Sequence, residues 1–182
     1  EGQKQRWLPP IAEGKLMVAV SVTEPDTGSN VAGVKCRAKQ SIVNGQKGFI
    51  LQGAKAWCTF AGRADIIALL ARTNTDIASG ARGLSLFIVE KERFPGHSFE
   101  MRQNTGGVMT GTAIPTLGYR GMHSYTLDLD NYFVPQENLV GEEHGLNRGF
   151  YLQMAGFAAG RLQTGGRATG LAQAALESTC TY

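Results

Sequence analysis

An apolar alternation runs directly into a turn at residues 20–29, which read Val20-Ser21-Val22-Thr23-Glu24-Pro25-Asp26-Thr27-Gly28-Ser29. Pro presets φ, Asp can bond its own backbone and Gly accepts positive φ, so the stretch predicts a strand that ends in a tight turn. At that turn, Thr23, Gly28 and Ser29 offer hydroxyls and open backbone N–H groups to a polar ligand. Ordinary turn chemistry uses the same residue types, and composition and spacing leave both interpretations open.

A second stretch, residues 55–59, reads Lys-Ala-Trp-Cys-Thr. Trp57 offers a flat aromatic surface, and Thr59 places a hydroxyl beside it. Together with the first stretch, this combination suits a planar, hydrogen-bonding cofactor that carries phosphates. The alternative is that Trp57 is a core residue of a strand, which is the common place for a large aromatic side chain.

These two stretches resemble the two flavin-binding segments of the acyl-CoA dehydrogenase family. The first has the form of a hydrophobic pair, Thr-Glu-Pro, a small pair and Gly-Ser, and the second has the form Lys-x-Trp-Ile-Thr. Three further family motifs follow in the family's order, at residues 82–90, 118–121 and 133–141. The resemblance covers nearly the whole chain.

The resemblance implies a flavin site, and FAD as its cofactor. The backbone groups of Val22 and Thr23 would reach the ring carbonyls, and the Thr23 hydroxyl would contact the ring. Ser29 would touch both the flavin phosphate side and the thioester substrate, and Thr59 would lie near the reactive nitrogen. The full implied set of cofactor-binding residues is Val20, Ser21, Val22, Thr23, Gly28, Ser29, Trp57, Cys58 and Thr59. Cys58 replaces the usual Ile and keeps its small apolar character.

The resemblance also implies a substrate-binding stretch, Ala158-Ala159-Gly160-Arg161, which aligns with the family's acyl-CoA-contacting segment. Arg161 would place a charge near the CoA moiety or form a buried structural ion pair; alternatively, it packs a helix. Some family members carry the catalytic Glu directly before this Arg, but Gly160 occupies that position here. We therefore assign no catalytic base and expect it outside this chain.

The implied reaction is FAD-dependent α,β-dehydrogenation of an acyl-CoA thioester, with electron-transfer flavoprotein as the acceptor and a homodimer or homotetramer as the assembly. Residues 95–117 look like a Gly-rich insertion resembling that of the methylsuccinyl-CoA dehydrogenase branch. With Arg120 and His123 it could recognise a polar or carboxylated acyl group, although His123 could equally be a surface residue. The alternatives are an acyl-CoA oxidase, a flavin-retaining family member that binds nucleic acid, and a plain β-barrel interaction module.

Composition narrows the class of protein. The chain has 182 residues, 42% hydrophobic and 18% charged, which suits one domain with a sizeable core. The net charge of +3 is spread along the chain, which argues against a nucleic-acid partner. No apolar run spans a bilayer and no signal peptide is evident. Three Cys and three His share no ligand spacing, so we expect no metal site, no disulfide framework and a cytoplasmic location, or the mitochondrial matrix in a eukaryote.

The pattern along the chain predicts a mainly β fold: a small β-barrel of short antiparallel strands followed by one long α-helix. Strands are expected at residues 16–23, 34–43, 47–52, 66–72, 83–90, 124–129 and 132–134. Asn44-Gly45 predicts a hairpin, residues 95–117 an irregular insertion, and the residues from about Gly145 a helix with Glu142 and Glu143 near its start. We expect residues 1–13 to be a connector at the end of an N-terminal helical domain, 14–141 the flavin-binding barrel, and 142–182 the start of a C-terminal helical domain. The chain would then be a piece of a longer enzyme, inactive alone.

Overall fold

The computed structural model describes residues 1–118 and 121–182. It contains ten main helices and strands in that part of the chain: α1 (Gly2–Ala12), β1 (Val18–Ser21), β2 (Arg37–Val43), β3 (Gln46–Thr59), β4 (Ile66–Arg72), β5 (Leu84–Glu90), β6 (Ser98–Arg102), β7 (Val108–Ala113), β8 (Ser124–Pro135) and α2 (Gly149–Thr181). Short 3-10 helices connect several of them. The prediction of a mainly β fold followed by one long helix is confirmed.

All eight strands belong to one sheet, in the order β1-β4-β2-β3-β8-β7-β6, with β5 added beside β4. Most neighbours are antiparallel, but β1 runs parallel to β4, with Val18 opposite Ile66. The strands β3 and β8 are long, with 14 and 12 residues, and they form the centre of the sheet. Strand β2 also meets β4 in parallel, at Arg37 and Arg72. The sheet therefore has the half-barrel form of the predicted class, with two parallel pairings and two long strands that the pattern did not indicate.

The β2–β3 hairpin turns at Asn44-Gly45, as predicted. Both residues take positive φ, 50° and 81°, and Val43 pairs with Gln46 across the turn. Two successive positive φ values give the turn a twist that matches the twist of the flanking strands, and Asn and Gly tolerate that conformation best.

The core lies on one face of the curved sheet. Phe49 of β3 meets Phe87 of β5 edge to face, with ring centroids 5.0 Å apart. Every strand contributes buried side chains, among them Ala19, Ala38, Leu51, Cys58, Ile67, Leu69, Val89, Phe99, Met109, Tyr125, Leu127 and Val134. Burial of this apolar surface is the main stabilising contribution to the fold.

The expectation of an irregular insertion at residues 95–117 is wrong for most of its length. Residues Ser98–Arg102 and Val108–Ala113 form the β6–β7 hairpin, and β7 pairs with β8. Gly111 explains the missing pattern, because a Cβ atom at this position would lie 2.2 Å from the Phe99 ring. The packing requires the same glycine that removes an apolar signal from the sequence.

The two ends of the chain are helical. Residues 1–13, expected to be a connector at the end of a helical domain, contain the helix α1, and the Gln3 side-chain amide donates to the Glu137 and Leu139 carbonyls at 2.7 Å each. At the other end, Glu142 and Glu143 lie in a separate 3-10 helix, and α2 begins only at Gly149. The helix starts late because Asn147 is held by β5: its N–H donates to the Ser85 hydroxyl at 2.8 Å.

The chain divides into two compact units, Glu1–Phe150 and Tyr151–Tyr182. The first contains the sheet and α1, and the second is most of α2, where Thr hydroxyls donate to the carbonyls four residues earlier. The expected domain boundaries at residues 13/14 and 141/142 stay predictions. Neither helix in the described residues is long and apolar enough to cross a membrane.

Candidate functional site

The two predicted flavin segments lie side by side. The N–H of Ala56 donates to the Thr23 carbonyl at 2.9 Å. The Lys55 ammonium donates to the Val22 carbonyl at 3.1 Å, and the Cys58 thiol donates to the Val20 carbonyl at 3.3 Å. The fold therefore joins residues 20–29 and 55–59 into one continuous surface, which we call the wall.

Trp57 is carried on the outside of the wall by a β-bulge. The β3–β8 register shifts between Lys55 and Cys58, and Trp57 takes a φ of 58°. Positive φ is unfavourable for a bulky residue and persists only where the surroundings enforce it. The indole is 57% exposed while Ala56 and Cys58 are buried, so the interpretation of Trp57 as a core residue is excluded.

Two hydroxyls of the wall remain free for a ligand. Thr23 is half-buried and Ser29 is exposed, and neither side chain hydrogen-bonds to any residue in the described part of the chain. Gly28 is exposed as well, and a Cβ atom there would have no neighbour within 4 Å. Thr59 differs, because its hydroxyl lies 3.0 Å from the Ser124 hydroxyl. Ser21 is fully buried, with a side-chain oxygen that has no hydrogen-bond partner among the described residues.

The buried side of the wall contains an ion pair. The Lys55 ammonium, fully buried, donates to the Glu24 carboxylate at 2.9 Å. The same carboxylate accepts from the N–H groups of Lys35 and Cys36, both at 2.8 Å. Charge-assisted hydrogen bonds to every partner offset the cost of burying both charges. The pair fixes the turn after β1 against the end of β3.

Cys58 also lies on the buried side. Desolvation by burial raises the pKa of its thiol to about 11. The thiol is therefore neutral at physiological pH and faces the core, away from any ligand on the wall. Of the predicted cofactor residues, Cys58 can contribute only backbone atoms. The Val22 side chain is buried in the same way.

The start of β1 has an ion pair of its own, at the surface. The Arg93 guanidinium donates to the Asp65 carboxylate at 2.6 and 2.7 Å, and the Met17 N–H donates to the same carboxylate at 2.6 Å. The Arg93 hydrogen bond is the main reason that the pKa of Asp65 lies below its ordinary value, with a smaller contribution from Met17. This pair anchors the strand that leads into the wall.

The fold also brings His97 and His123 together, although 26 positions separate them in the chain. Their Nε2 atoms are 3.3 Å apart and their rings meet edge-on, with centroids 4.6 Å apart. They face a cavity of about 360 Å³ whose lining also contains Ala113, Ile114, Pro115, Thr116 and Gly118. The cavity adjoins the wall, because Phe60, next to Thr59, donates its N–H to the His123 carbonyl at 2.8 Å.

The remaining predicted residues give less information. Residues 158–161 form one exposed turn of α2 in the second unit, and an Arg161 guanidinium nitrogen lies 3.3 Å from the Met154 sulfur. In the motif at residues 118–121, Tyr119 and Arg120 lie outside the described residues. The expected roles of these residues stay predictions.

Three residues of the site were not among the predicted contacts: Glu24, Lys55 and Ser124. Glu24 and Lys55 are both part of the motifs that predicted the wall, and opposite charges at fixed places in two cofactor segments could have indicated an ion pair. The Ser124–Thr59 contact depends on the β3–β8 register, which no local pattern reveals.

Comparison with known proteins places the chain in a family. The family model described as "Acyl-CoA dehydrogenase, middle domain" matches residues 19–132, which include the wall and nearly all of the sheet. The chain therefore belongs to the acyl-CoA dehydrogenase family.

Individual relatives agree with the family model. Over the whole chain it is 39% identical to a (2S)-methylsuccinyl-CoA dehydrogenase of Cereibacter sphaeroides, and over 99% of the chain it is 36% identical to a mitochondrial isovaleryl-CoA dehydrogenase of Oryza sativa. It covers 31% and 39% of those two proteins, so it spans about a third of their length. An acyl-CoA dehydrogenase structure from Geobacillus kaustophilus matches 85% of the chain at 29% identity with a TM-score of 0.68, and the match covers 36% of that protein.

Proposed function

We propose that this chain forms the FAD-binding wall of an enzyme that dehydrogenates acyl-CoA thioesters. The observation that supports this best is the union of the two segments, one with an exposed indole and the other with two unpartnered hydroxyls. A solvent-exposed tryptophan held at positive φ has a strained backbone, and such strain is concentrated at functional sites.

The residues fit a flavin. The half-exposed indole of Trp57 offers a face for ring stacking, and the hydroxyls of Thr23 and Ser29 are free to donate to ring or phosphate oxygens. The carbonyls of Val22 and Thr23 are already bonded within the protein, so the contacts that we expect to the ring carbonyls would use N–H groups. The residues proposed to hold FAD are Val20, Ser21, Val22, Thr23, Gly28, Ser29, Trp57, Cys58 and Thr59, with Cys58 acting through its backbone.

When bound, FAD would supply the acceptor for the hydride that leaves the β-carbon, while the electron pair of the α C–H bond would form the α,β double bond and the α-proton would pass to a base. The contribution of the chain is alignment. The Glu24–Lys55 pair keeps the two segments at a fixed separation, Ser124 orients the Thr59 hydroxyl, and Trp57 shields one side of the bound ring from water. We assign no catalytic base within the chain.

The acyl-CoA would be bound by Ser29 and by Ala158, Ala159, Gly160 and Arg161. A carboxylated acyl group is a candidate substrate, because the relative from Cereibacter sphaeroides is named for methylsuccinyl-CoA. We further propose electron-transfer flavoprotein as the acceptor, a homodimer or homotetramer as the assembly, and a reducing compartment, cytoplasm or mitochondrial matrix. Buried free thiols at Cys36 and Cys58 suit such a compartment.

The test uses the intact protein. We expect purified protein to carry flavin absorption or to acquire it when FAD is added, and to reduce an artificial electron acceptor only when an acyl-CoA is supplied. Comparable turnover with oxygen as the acceptor would indicate an acyl-CoA oxidase instead. A protein that never binds flavin, even after reconstitution, would refute the proposal.

A further inference from the structure

The His97–His123 cavity takes no part in the proposed flavin site. We propose that it binds a divalent transition-metal ion of the Zn²⁺ type, with the two Nε2 atoms as protein ligands. This inference is independent of the proposed function. The sequence predicted no metal site because its histidines share no ligand spacing along the chain, but the fold brings these two histidines together.

The distance between the two nitrogens matches the spacing of two ligands on one ion. Zn–N bonds of about 2.0–2.1 Å that meet at a tetrahedral angle place two ligand nitrogens about 3.3–3.4 Å apart. The Nε2 atoms here are 3.3 Å apart. Without an ion the two rings share an N–H···N hydrogen bond and meet edge-on, with centroids 4.6 Å apart. In this proposal the ion replaces that shared proton and the two rings turn slightly apart to face it.

The backbone holds both histidines in place. His97 immediately precedes β6 and its carbonyl accepts from the Ala113 N–H at 2.7 Å. His123 immediately precedes β8 and its carbonyl accepts from the Phe60 N–H at 2.8 Å. The strand β7 lies between β6 and β8 and pairs with both. Ligands held at the ends of rigid strands lose little conformational freedom when they bind an ion, which favours a site of this kind.

The chemistry of the lining selects the ion. Imidazole nitrogens suit Zn²⁺, Cu²⁺ and Ni²⁺, whereas Mg²⁺ and Ca²⁺ require oxygen ligands that the described lining does not supply as carboxylates. No group of three or more His, Cys, Asp and Glu side chains suited to a metal occurs in the described residues. The other coordination positions therefore open into the cavity, where water or an oxygen donor of a small ligand would complete the shell. A site with open positions binds ligands rather than serving only as a structural clamp.

The test is a calorimetric titration of the intact, metal-free protein with Zn²⁺, for the wild type and for His97→Asn, His123→Asn and His144→Asn. His144 is exposed and lies in a separate 3-10 helix, which makes it the matched control. Loss of a second-shell partner already weakens metal binding about tenfold or more. We therefore expect H97N and H123N each to weaken Zn²⁺ binding by at least that factor, and H144N to bind like the wild type.

A second readout is chemical. Zn²⁺ should slow the modification of His97 and His123 by diethyl pyrocarbonate, measured by mass spectrometry, and leave the rate at His144 unchanged. His97 is exposed and His123 is half-buried, so the substitutions should change thermal unfolding little, and a circular dichroism melt checks this. The proposal is overturned if H97N and H123N bind Zn²⁺ as the wild type does, if H144N weakens binding equally, or if Zn²⁺ protects neither residue.

Discussion

The buried side of the wall holds its two segments together, whereas the exposed side presents groups to a ligand, although the residues of both sides lie on the same two short segments. On the buried side, Glu24, Lys55 and Cys58 bond the segments to each other and are closed to solvent. On the exposed side, Thr23, Ser29 and Trp57 have polar or aromatic groups that nothing in the described protein satisfies. The difference teaches that stability and ligand binding can be changed separately in one motif, residue by residue.

Removing the buried cation should have the largest effect. Lys55→Met leaves the Glu24 carboxylate buried without its counter-ion, and breaking a buried pair in this way costs about 3–5 kcal/mol. We expect the free energy of unfolding, measured with urea, to fall by that amount. The double variant Glu24→Gln/Lys55→Met should recover part of the loss, because it leaves no unpaired charge. A K55M protein within about 1 kcal/mol of the wild type would show that the pair contributes little.

Substitutions on the exposed side of the wall should weaken FAD binding and leave the free energy of unfolding nearly unchanged. Trp57→Ala removes a stacking surface worth about 0.5–1.5 kcal/mol, so FAD should bind about twofold to tenfold more weakly. Thr23→Val removes one hydrogen bond and keeps the shape of the side chain, with a similar expected loss of FAD affinity. Urea unfolding of both apo-proteins should change by less than about 0.5 kcal/mol, because neither hydroxyl nor indole is satisfied within the protein. Equal losses of stability and affinity would erase the distinction between the two sides.

The surface pair at the start of β1 provides a milder comparison with the buried pair. Because the Arg93 hydrogen bond lowers the folded-state pKa of Asp65 below 3.8, the pair contributes fully above that pH. The contribution is lost as the pH falls through the folded-state pKa. Asp65→Asn should therefore lose less stability than the wild type between about pH 5 and pH 2, as followed by thermal melts.

This effect should be the smallest of the three, because the Arg93 side chain is 55% exposed and exposed pairs stabilise little. The variant Asp128→Asn, at an exposed position of β8, removes one acidic charge elsewhere and controls for net charge. If D65N and the wild type lose stability in parallel as the pH falls, the surface pair does not anchor β1.

Local patterns were sufficient for the elements whose signal lies in adjacent residues. Asn44-Gly45 specified its hairpin, and the short length of the apolar run at residues 66–72 predicted β4 with the observed bounds. The hairpin β6–β7 was not predicted. Close packing requires glycine at Gly107 and Gly111, so this segment has too few apolar residues to show the alternation of a strand. The bounds of α1 could not be predicted, because Pro9 and Pro10 indicated a connector although both lie inside the last turns of this short helix.

The same limit applies to the candidate site: its local segments could be predicted from the sequence, but the contacts between them could not. Motifs identified which segments form the wall, since cofactor contacts are local to each segment. The partners that hold the wall depend on which strands become neighbours: Lys55 reaches Glu24 across 31 positions and Thr59 reaches Ser124 across 65. The same limit applies to His97 and His123, which only the β6–β7–β8 pairing brings together.

The most direct test of the central claim uses tryptophan fluorescence, because a flavin stacked near an indole quenches its emission. Trp57 lies on the wall, whereas Trp7 is buried in α1 and serves as the control. When FAD is added to the intact apo-protein, we expect quenching in the wild type and in Trp7→Phe, and a clear reduction of quenching in Trp57→Phe. Quenching that is unchanged by W57F while FAD still binds would contradict the account, because the flavin would then lie away from the wall.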